Sequence, residues 1–174
     1  AREDAVGIPI LGMLRSGTSA LAGARDKRCA DLGPPSSWLA PAADNPAGFF
    51  EYEPVVNVNR QLLAALGGTW SSPPPLTDHW VDDERLSEVA EAARDLCLEL
   101  SPSLVVKDPR LSITLPFWER LVDVRTPVLC VRHPASVAQS LQKRNGYATD
   151  VGLSLWFRYN AAARLNRPDA LLVS

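Results

Sequence analysis

Residues 7–21, GIPILGMLRSGTSAL, constrain the fold of this chain more than any other segment. An apolar run ends at Gly12, a short loop follows as far as Gly17, and apolar residues then return at helical spacing. This pattern predicts a strand, a tight loop and a helix, with glycines that let the backbone approach a ligand closely. Backbone N–H groups at such a helix N-terminus point toward one anion. We therefore predict a phosphate-binding loop.

Apolar segments farther along the chain predict the rest of the architecture. Further strands are expected at 103–106, 126–131 and 170–173. Helices are expected at 18–30, from Pro54 to Gly67, and at 82–100, 115–124, 135–144 and 150–163. The proline-rich segments 31–48 and 69–80 are expected to be loops. This alternation predicts one α/β domain over residues 1–174, with a mostly parallel sheet and helices on both faces.

Composition narrows the functional class. With 46% hydrophobic and 22% charged residues, the chain resembles a soluble globular protein. No apolar run approaches the roughly 20 residues that span a bilayer, and the first residues lack an export signal, so we expect a cytoplasmic protein. A net charge of −2 argues against a nucleic-acid partner. Cys29, Cys97 and Cys130 are odd in number and widely spaced, which predicts reduced, buried thiols.

Basic residues follow three of the predicted strands. Arg15 follows the first strand, Lys107 and Arg110 follow the second, and Arg132 follows the third. Because right-handed crossovers bring the carboxyl ends of parallel strands to one rim, these side chains are expected to share a cleft. Such a cationic cleft suits a multiply charged nucleotide. The alternative is that Lys107 and Arg110 only pair with nearby carboxylates such as Asp108.

The first loop nearly matches the triphosphate-binding pattern G-x-x-x-x-G-K-[ST]. Gly12 and Gly17 are in register, and Ser19 occupies the hydroxyl position, but Thr18 stands where lysine is required. That difference disfavours a P-loop kinase, because the lysine contacts the outer phosphates. The spacing still favours a three-layer sandwich of the P-loop NTPase type. Here Arg15 supplies the cation from within the loop.

Two segments resemble signatures of the sulfotransferases that use 3′-phosphoadenosine 5′-phosphosulfate (PAPS). Residues 15–19, RSGTS, fit the family's 5′-phosphosulfate loop, [KR]-S-G-T-[ST]. Residues 132–140, RHPASVAQS, fit its 3′-phosphate signature, an arginine at a strand end and a serine about eight residues later. Residues 45–51 and 106–110 are similar to blocks of a bacterial branch. The resemblance implies that these residues bind the nucleotide: Arg15, Ser16, Gly17, Thr18, Ser19, Arg132 and Ser140.

The resemblance also implies a reaction. It predicts transfer of a sulfuryl group from PAPS to a hydroxyl or amine of a small-molecule, glycan or lipid acceptor, with adenosine 3′,5′-bisphosphate (PAP) as product and no metal. The implied catalytic residues are Arg15, Glu51 and Lys107, with Glu51 as candidate general base. Family members continue beyond the last strand with a closing segment, which this chain is expected to lack. A P-loop kinase and a non-catalytic nucleotide-binding module are the alternatives.

Several side chains have two readings at this point. His79 and Glu53 are rival candidates for the base, and the glutamates could instead cap the next helix or pair with Arg60. The loop with Trp70 and Trp80 is either a flap over a pocket or a segment pinned to the core. We also expect His133 to form hydrogen bonds at a helix entry. Core packing is expected for the aromatic group Trp156, Phe157 and Tyr159.

Overall fold

Four short parallel strands form the sheet in the part of the chain that is described. The structure is a computed structural model that describes residues 7–26, 31–41, 45, 48–101 and 103–174. The strands are β1 (Ile8–Leu11), β2 (Val105–Lys107), β3 (Val128–Cys130) and β4 (Leu171–Val173). Their order is β2-β1-β3-β4, which confirms the predicted parallel α/β sheet.

Helices cover both faces of this sheet, as predicted for a three-layer sandwich. Within the described ranges they are α1 (Thr18–Asp26), α2 (Glu53–Ala65), α3 (Ser87–Glu99), α4 (Leu111–Glu119), α5 (Pro134–Asn145) and α6 (Thr149–Asn166). Side chains of a strand alternate between faces. Ile10 therefore packs with α1 through Ala22, while Leu11 packs with α2 and α4 through Leu62 and Leu115. The first strand is thus buried on both sides.

The helix after β2 begins four residues earlier than predicted. The carboxylate of Asp108 accepts a hydrogen bond from the backbone N–H of Arg110 at 3.0 Å. The backbone carbonyl of Asp108 accepts one from the backbone N–H of Leu111, also at 3.0 Å. These bonds form a turn that starts α4 at Leu111 instead of Leu115. Pro116, expected near the first turn, consequently lies inside the helix.

The interior proline leaves one helical carbonyl without its usual donor. Pro116 has no backbone N–H, so it cannot bond to the carbonyl of Ser112, four residues earlier. That carbonyl instead accepts a hydrogen bond from the side-chain amide of Asn166 at 3.1 Å. Asn166 is the last residue of α6, so this bond fastens α6 to α4. The helix tolerates its proline because a neighbouring helix replaces the missing donor.

We expect Asn166→Leu to lower the free energy of unfolding by about 1–2 kcal/mol, because it leaves the Ser112 carbonyl unsatisfied. Pro116→Ala restores a backbone donor to that carbonyl. In the Pro116→Ala background the same Asn166 change is therefore expected to cost less, with a coupling energy of at least about 0.5 kcal/mol. Urea unfolding of the four proteins in this cycle measures the coupling. Strictly additive losses would contradict the explanation.

Other element boundaries also differ from the sequence predictions. The helix expected from 82 begins at Ser87, after two 3₁₀ turns at Trp80–Asp82 and Glu84–Leu86. Asp83 favours the second turn because its carboxylate accepts the backbone N–H of Arg85 at 3.0 Å. Strand β2 extends to Lys107, so this lysine ends the strand instead of following it. Helix α1 is described to Asp26, and the rest of its predicted range, 27–30, lies outside the described residues.

Cysteines and aromatic residues agree only partly with expectation. Cys130 is a free, buried thiol, and burial raises its pKa to about 11. Cys97 is only half-buried, and Cys29 lies outside the described residues. Tyr159 is fully buried, whereas Phe157 is 66% exposed, so the prediction of core packing for Phe157 was wrong. Phe157 lies on the outer face of α6, which packs against α4 and α5 with its other face.

None of the helices in the described ranges is both long enough and apolar enough to cross a membrane.

Candidate functional site

The chain segments that follow β1, β2 and β3 open onto one cleft of about 580 Å³. Arg15, Lys107, Arg110 and Arg132 all line it, which brings together the basic residues singled out at the strand ends. The cleft also receives side chains from α2, the segment before it, the 69–80 loop and the end of α5. These are Phe49, Glu51, Glu53, Arg60, Trp70 and Arg144.

The loop between β1 and α1 forms a cradle at one wall of the cleft. Arg15 and Gly17 have φ values of +71° and +90°, and the Ser16 N–H donates to the carbonyl of Met13 at 3.1 Å. Helix α1 starts at Thr18, and N–H groups in the first turn of a helix have no intrahelical acceptor. Gly17, Thr18 and Ser19 line the cleft. This end of the helix therefore presents backbone donors and a positive dipole to a ligand.

Ser16 adds a further indication at this loop. Its side chain is 7% exposed, and its hydroxyl oxygen has no hydrogen-bond partner among the described residues. Buried hydroxyl groups are normally paired, and an unpaired one needs an explanation. An anion held by the surrounding loop would supply the missing acceptor. The loop therefore has the donors, and one unsatisfied group, expected of an anion site.

The two segments that resemble nucleotide-binding signatures contact each other directly. Nε of Arg15 donates a hydrogen bond to Oγ of Ser140 at 2.7 Å, although 125 residues separate them. Nη1 of Arg132 donates to the carbonyl of Arg15 at 3.2 Å. Ser140 lies on α5, which packs through Val137 and Leu141 in a core cluster with Met13 of the loop. Burial of these apolar residues thus holds the two arginines and the serine together.

Glu51 and Lys107 form a buried ion pair at another wall of the cleft. Nζ of Lys107 donates to Oε1 of Glu51 at 2.5 Å, and Nη1 of Arg110 lies 3.7 Å from Oε2. All three residues are buried, and all three line the cleft. Burial raises the pKa of the Glu51 carboxyl above its ordinary value, while the Lys107 ammonium opposes this shift. Glu51 thus pairs with Lys107 and not with Arg60.

Two buried polar residues that were not predicted as site residues, Asp108 and Asn59, lie behind this wall. Asp108 is fully buried, and its carboxylate accepts hydrogen bonds from Nη1 of Arg110 at 2.7 Å and from Nδ2 of Asn59 at 2.8 Å. Arg110 therefore forms the ion pair with Asp108 that was the alternative to a cleft role, although it also lines the cleft. Asn59 could have been found from its spacing, because it shares the buried face of α2 with Val55 and Leu62.

The remaining candidates occupy separate positions. Glu53 is exposed in the first turn of α2 and lines the cleft, whereas Arg60 donates to the side chain of Asn57 at 3.2 Å. His79 is exposed and is not among the residues that line the cleft. His133 precedes α5, where its carbonyl accepts the N–H of Ser136 at 3.0 Å. In the described chain its side chain makes no capping bond, contrary to the expectation for a helix-entry residue.

The 69–80 loop combines the two arrangements considered for it. Trp70 lines the cleft, and its carbonyl accepts a hydrogen bond from the buried Tyr159 hydroxyl at 2.7 Å. Arg158, also on α6, donates to the carbonyl of Pro73 at 2.7 Å. Trp80 packs against the core beside α2 and α3 instead of covering the cleft. The loop is thus pinned to the body of the protein and presents one tryptophan to the site.

No group of three or more histidine, cysteine, aspartate or glutamate side chains in the described ranges is arranged to hold a metal ion. The chain matches no protein-family model, no curated protein and no solved structure.

Proposed function

We propose that this protein is a sulfotransferase that moves the sulfuryl group of PAPS to a hydroxyl or amine of a small-molecule, glycan or lipid acceptor. The observation that carries the proposal is the direct contact of Arg15 with Ser140 and Arg132, beside the N-terminus of α1. A nucleotide with phosphate groups at both its 5′ and 3′ positions needs two anion sites at a fixed separation. Two adjacent clusters of donors meet this requirement, and both reach the cleft, although Ser16 and Ser140 are not among the residues that line it.

The donor nucleotide is assigned to this wall of the cleft. The hydroxyls of Ser16, Thr18 and Ser19 and the backbone N–H groups in the first turn of α1 bind the 5′-phosphate. Arg132 and Ser140 bind the 3′-phosphate, for which the planar guanidinium of arginine is well suited. The bond between Arg15 and Ser140 must loosen as the nucleotide enters. Both side chains then donate to phosphate oxygens.

Transfer is an in-line displacement at sulfur. The acceptor oxygen or nitrogen forms a bond to sulfur while the bond from sulfur to the bridging phosphate oxygen breaks. That oxygen keeps the electron pair and leaves as part of PAP. Arg15 offsets the charge that develops there. Glu51 takes the proton of the acceptor, a role favoured by the raised pKa of its buried carboxyl. Lys107 stabilises Glu51 before transfer and can also face the sulfuryl oxygens.

A thermal-shift comparison of PAP, ATP with magnesium, and AMP tests the nucleotide assignment. Because a ligand that binds only the native state stabilises it, PAP at 100 times its Kd is expected to add about 2.7 kcal/mol and raise Tm. AMP, which lacks the 3′-phosphate, is expected to raise Tm less. In Arg132→Ala the difference between PAP and AMP should shrink, since that variant removes the proposed 3′-phosphate contact.

Three outcomes of this comparison separate the alternatives. A larger shift with ATP and magnesium than with PAP, together with turnover of ATP, would support a P-loop kinase. A shift with PAP but no release of PAP from PAPS with any acceptor would support a non-catalytic binding module. If none of the three nucleotides raised Tm, every nucleotide-binding function for this cleft would be contradicted.

A further inference from the structure

A chain of buried hydrogen bonds leads from the core to the wall of the cleft. Trp118 and Thr114, both on α4, donate to Oδ1 of Asn59 at 2.8 Å and 2.7 Å. Nδ2 of Asn59 donates in turn to Oδ2 of Asp108 at 2.8 Å. With its amide oxygen and one amide hydrogen engaged, Asn59 is held in a single orientation. It therefore fixes the carboxylate of Asp108, whose other oxygen faces Arg110.

Asp108 and Glu51 share the guanidinium of Arg110 unequally. Nη1 of Arg110 is 2.7 Å from Oδ1 of Asp108 but 3.7 Å from Oε2 of Glu51. The backbone N–H of Arg110 also donates to Asp108, at 3.0 Å. Arg110 is thus held by Asp108 through two bonds. Glu51 keeps one short ionic contact, with Lys107.

We propose that Asp108, held by Asn59, is a positioning residue for the sulfuryl transfer: by binding Arg110 more closely than Glu51 does, it leaves Glu51 able to accept the proton of the acceptor. The inference rests on the proposed function, because it takes Glu51 as the base of that reaction. Asp108 touches no reacting atom and acts only through Arg110.

The arrangement is not explained by stability alone. Burying ion pairs carries a large desolvation penalty, and apolar residues of similar volume often stabilise a protein as well or better. Here two acidic and two basic side chains are buried together beside the cleft: Glu51, Lys107, Asp108 and Arg110. The hydrogen bonds among them favour one geometry over others, although the buried Nε of Arg110 has no partner among the described residues. A role of Asp108 in positioning Arg110 relative to Glu51 accounts for this geometry.

The charges around Glu51 determine the direction of the expected effect. Burial raises the pKa of its carboxyl, Lys107 lowers it, the charge of Asp108 raises it, and Arg110 lowers it. From the other elements, Glu53 and Arg60 of α2 line the same cleft. Removing the charge of Asp108 therefore lowers the pKa of Glu51 for two reasons. It takes away a repelling charge and frees Arg110 to approach.

The first test compares Asp108→Asn with the wild-type protein. Release of PAP from PAPS is measured against pH, with PAP thermal shifts alongside. We expect the acid limb of the pH profile to move to lower pH and the plateau rate to fall about 10-fold, since a less basic group accepts a proton less readily. The thermal shift with PAP should be unchanged. Asp82→Asn, which removes an exposed carboxylate paired with Arg120, is the matched control and should change neither.

A second measurement needs no turnover. Carbon-13 NMR follows the Glu51 carboxyl through a pH titration in the wild-type protein, Asp108→Asn and Asn59→Ala. We expect the Glu51 midpoint to lie above the ordinary value for a glutamate in the wild type and to fall in Asp108→Asn. Asn59→Ala removes the hydrogen bond that orients Asp108 but keeps the charge of Asp108, so it should lower the Glu51 midpoint by a smaller amount. This variant keeps the test valid if Asp108→Asn does not fold.

The outcomes distinguish this inference from the proposed function. If PAP stabilises the protein and PAPS is consumed, but the pH profile and the Glu51 midpoint are the same in Asp108→Asn as in the wild type, the role of Asp108 is wrong and the sulfotransferase proposal survives. If PAPS is not consumed and PAP does not bind, the proposed function is wrong. The NMR titration then still decides whether Asp108 controls the protonation of Glu51.

Discussion

Arg15→Ala is expected to lower kcat for PAPS by roughly 100- to 1000-fold, the loss typical of removing a group that stabilises charge in a transition state. Arg15 lies in the loop after β1, with its Nε 2.7 Å from Oγ of Ser140, which we propose to bind the 3′-phosphate. In the proposed reaction its guanidinium contacts the oxygen that leaves sulfur. Because PAP is also held by the proposed 3′-phosphate contacts and by the backbone N–H groups of the first turn of α1, its affinity should fall much less. Steady-state kinetics and calorimetric titration with PAP measure the two losses.

Two further variants control this result. Arg120→Ala removes an exposed arginine that pairs with Asp82 and is not among the residues lining the cleft, so it should leave both kcat and PAP affinity unchanged. Arg15→Lys keeps the charge but loses the planar fork, and it should retain part of the rate. If Arg15→Ala lowered kcat/KM and PAP affinity by the same factor, Arg15 would only bind the nucleotide. That outcome would remove it from the catalytic residues.

Gly12→Ala is expected to cost about 3 kcal/mol or more of unfolding free energy, the largest stability loss predicted here. Gly12 has a φ of +134°, which side chains rarely allow, and an added Cβ would lie 2.5 Å from the carbonyl oxygen of Cys130. That oxygen belongs to the backbone of β3, paired with β1, so it cannot move without opening the sheet. Urea unfolding measures the loss.

A second glycine separates the steric clash from backbone strain. Gly146 ends α5 with a φ of +72°, and a Cβ added there meets no atom within 4 Å. Gly146→Ala should therefore cost only about 1 kcal/mol, the conformational penalty of a left-handed residue without a clash. Equal losses in the two variants would mean that the close approach of β1 and β3 is not what requires glycine at position 12.

The sequence was a reliable guide wherever a local pattern decides the structure. Apolar runs determine which segments become strands, and the glycines at 12 and 17 determine where the first loop turns. Boundaries were less reliable when a side chain competed for backbone bonds. Asp108 started α4 four residues early, and Asp83 replaced the first turn of α3 with a 3₁₀ turn. These bonds depend on short-range geometry that hydrophobic periodicity does not report.

Only the tertiary structure could decide how the charged residues pair. From the sequence alone, Glu51 could have been a general base, a helix cap or the partner of Arg60. Lys107 and Arg110 could have been either cleft residues or members of surface ion pairs. In the folded protein Glu51 is buried in an ion pair with Lys107, and Arg110 forms its shorter ion pair with Asp108. Asn59 on α2 donates a hydrogen bond to Asp108. The local sequence pattern therefore determined the strands, the first loop and the placement of the basic residues at the strand ends. The pairing of the charged side chains depends on which of them are buried next to each other in the folded chain. The energy of an ion pair varies with distance and burial, and neither quantity can be derived from the sequence alone.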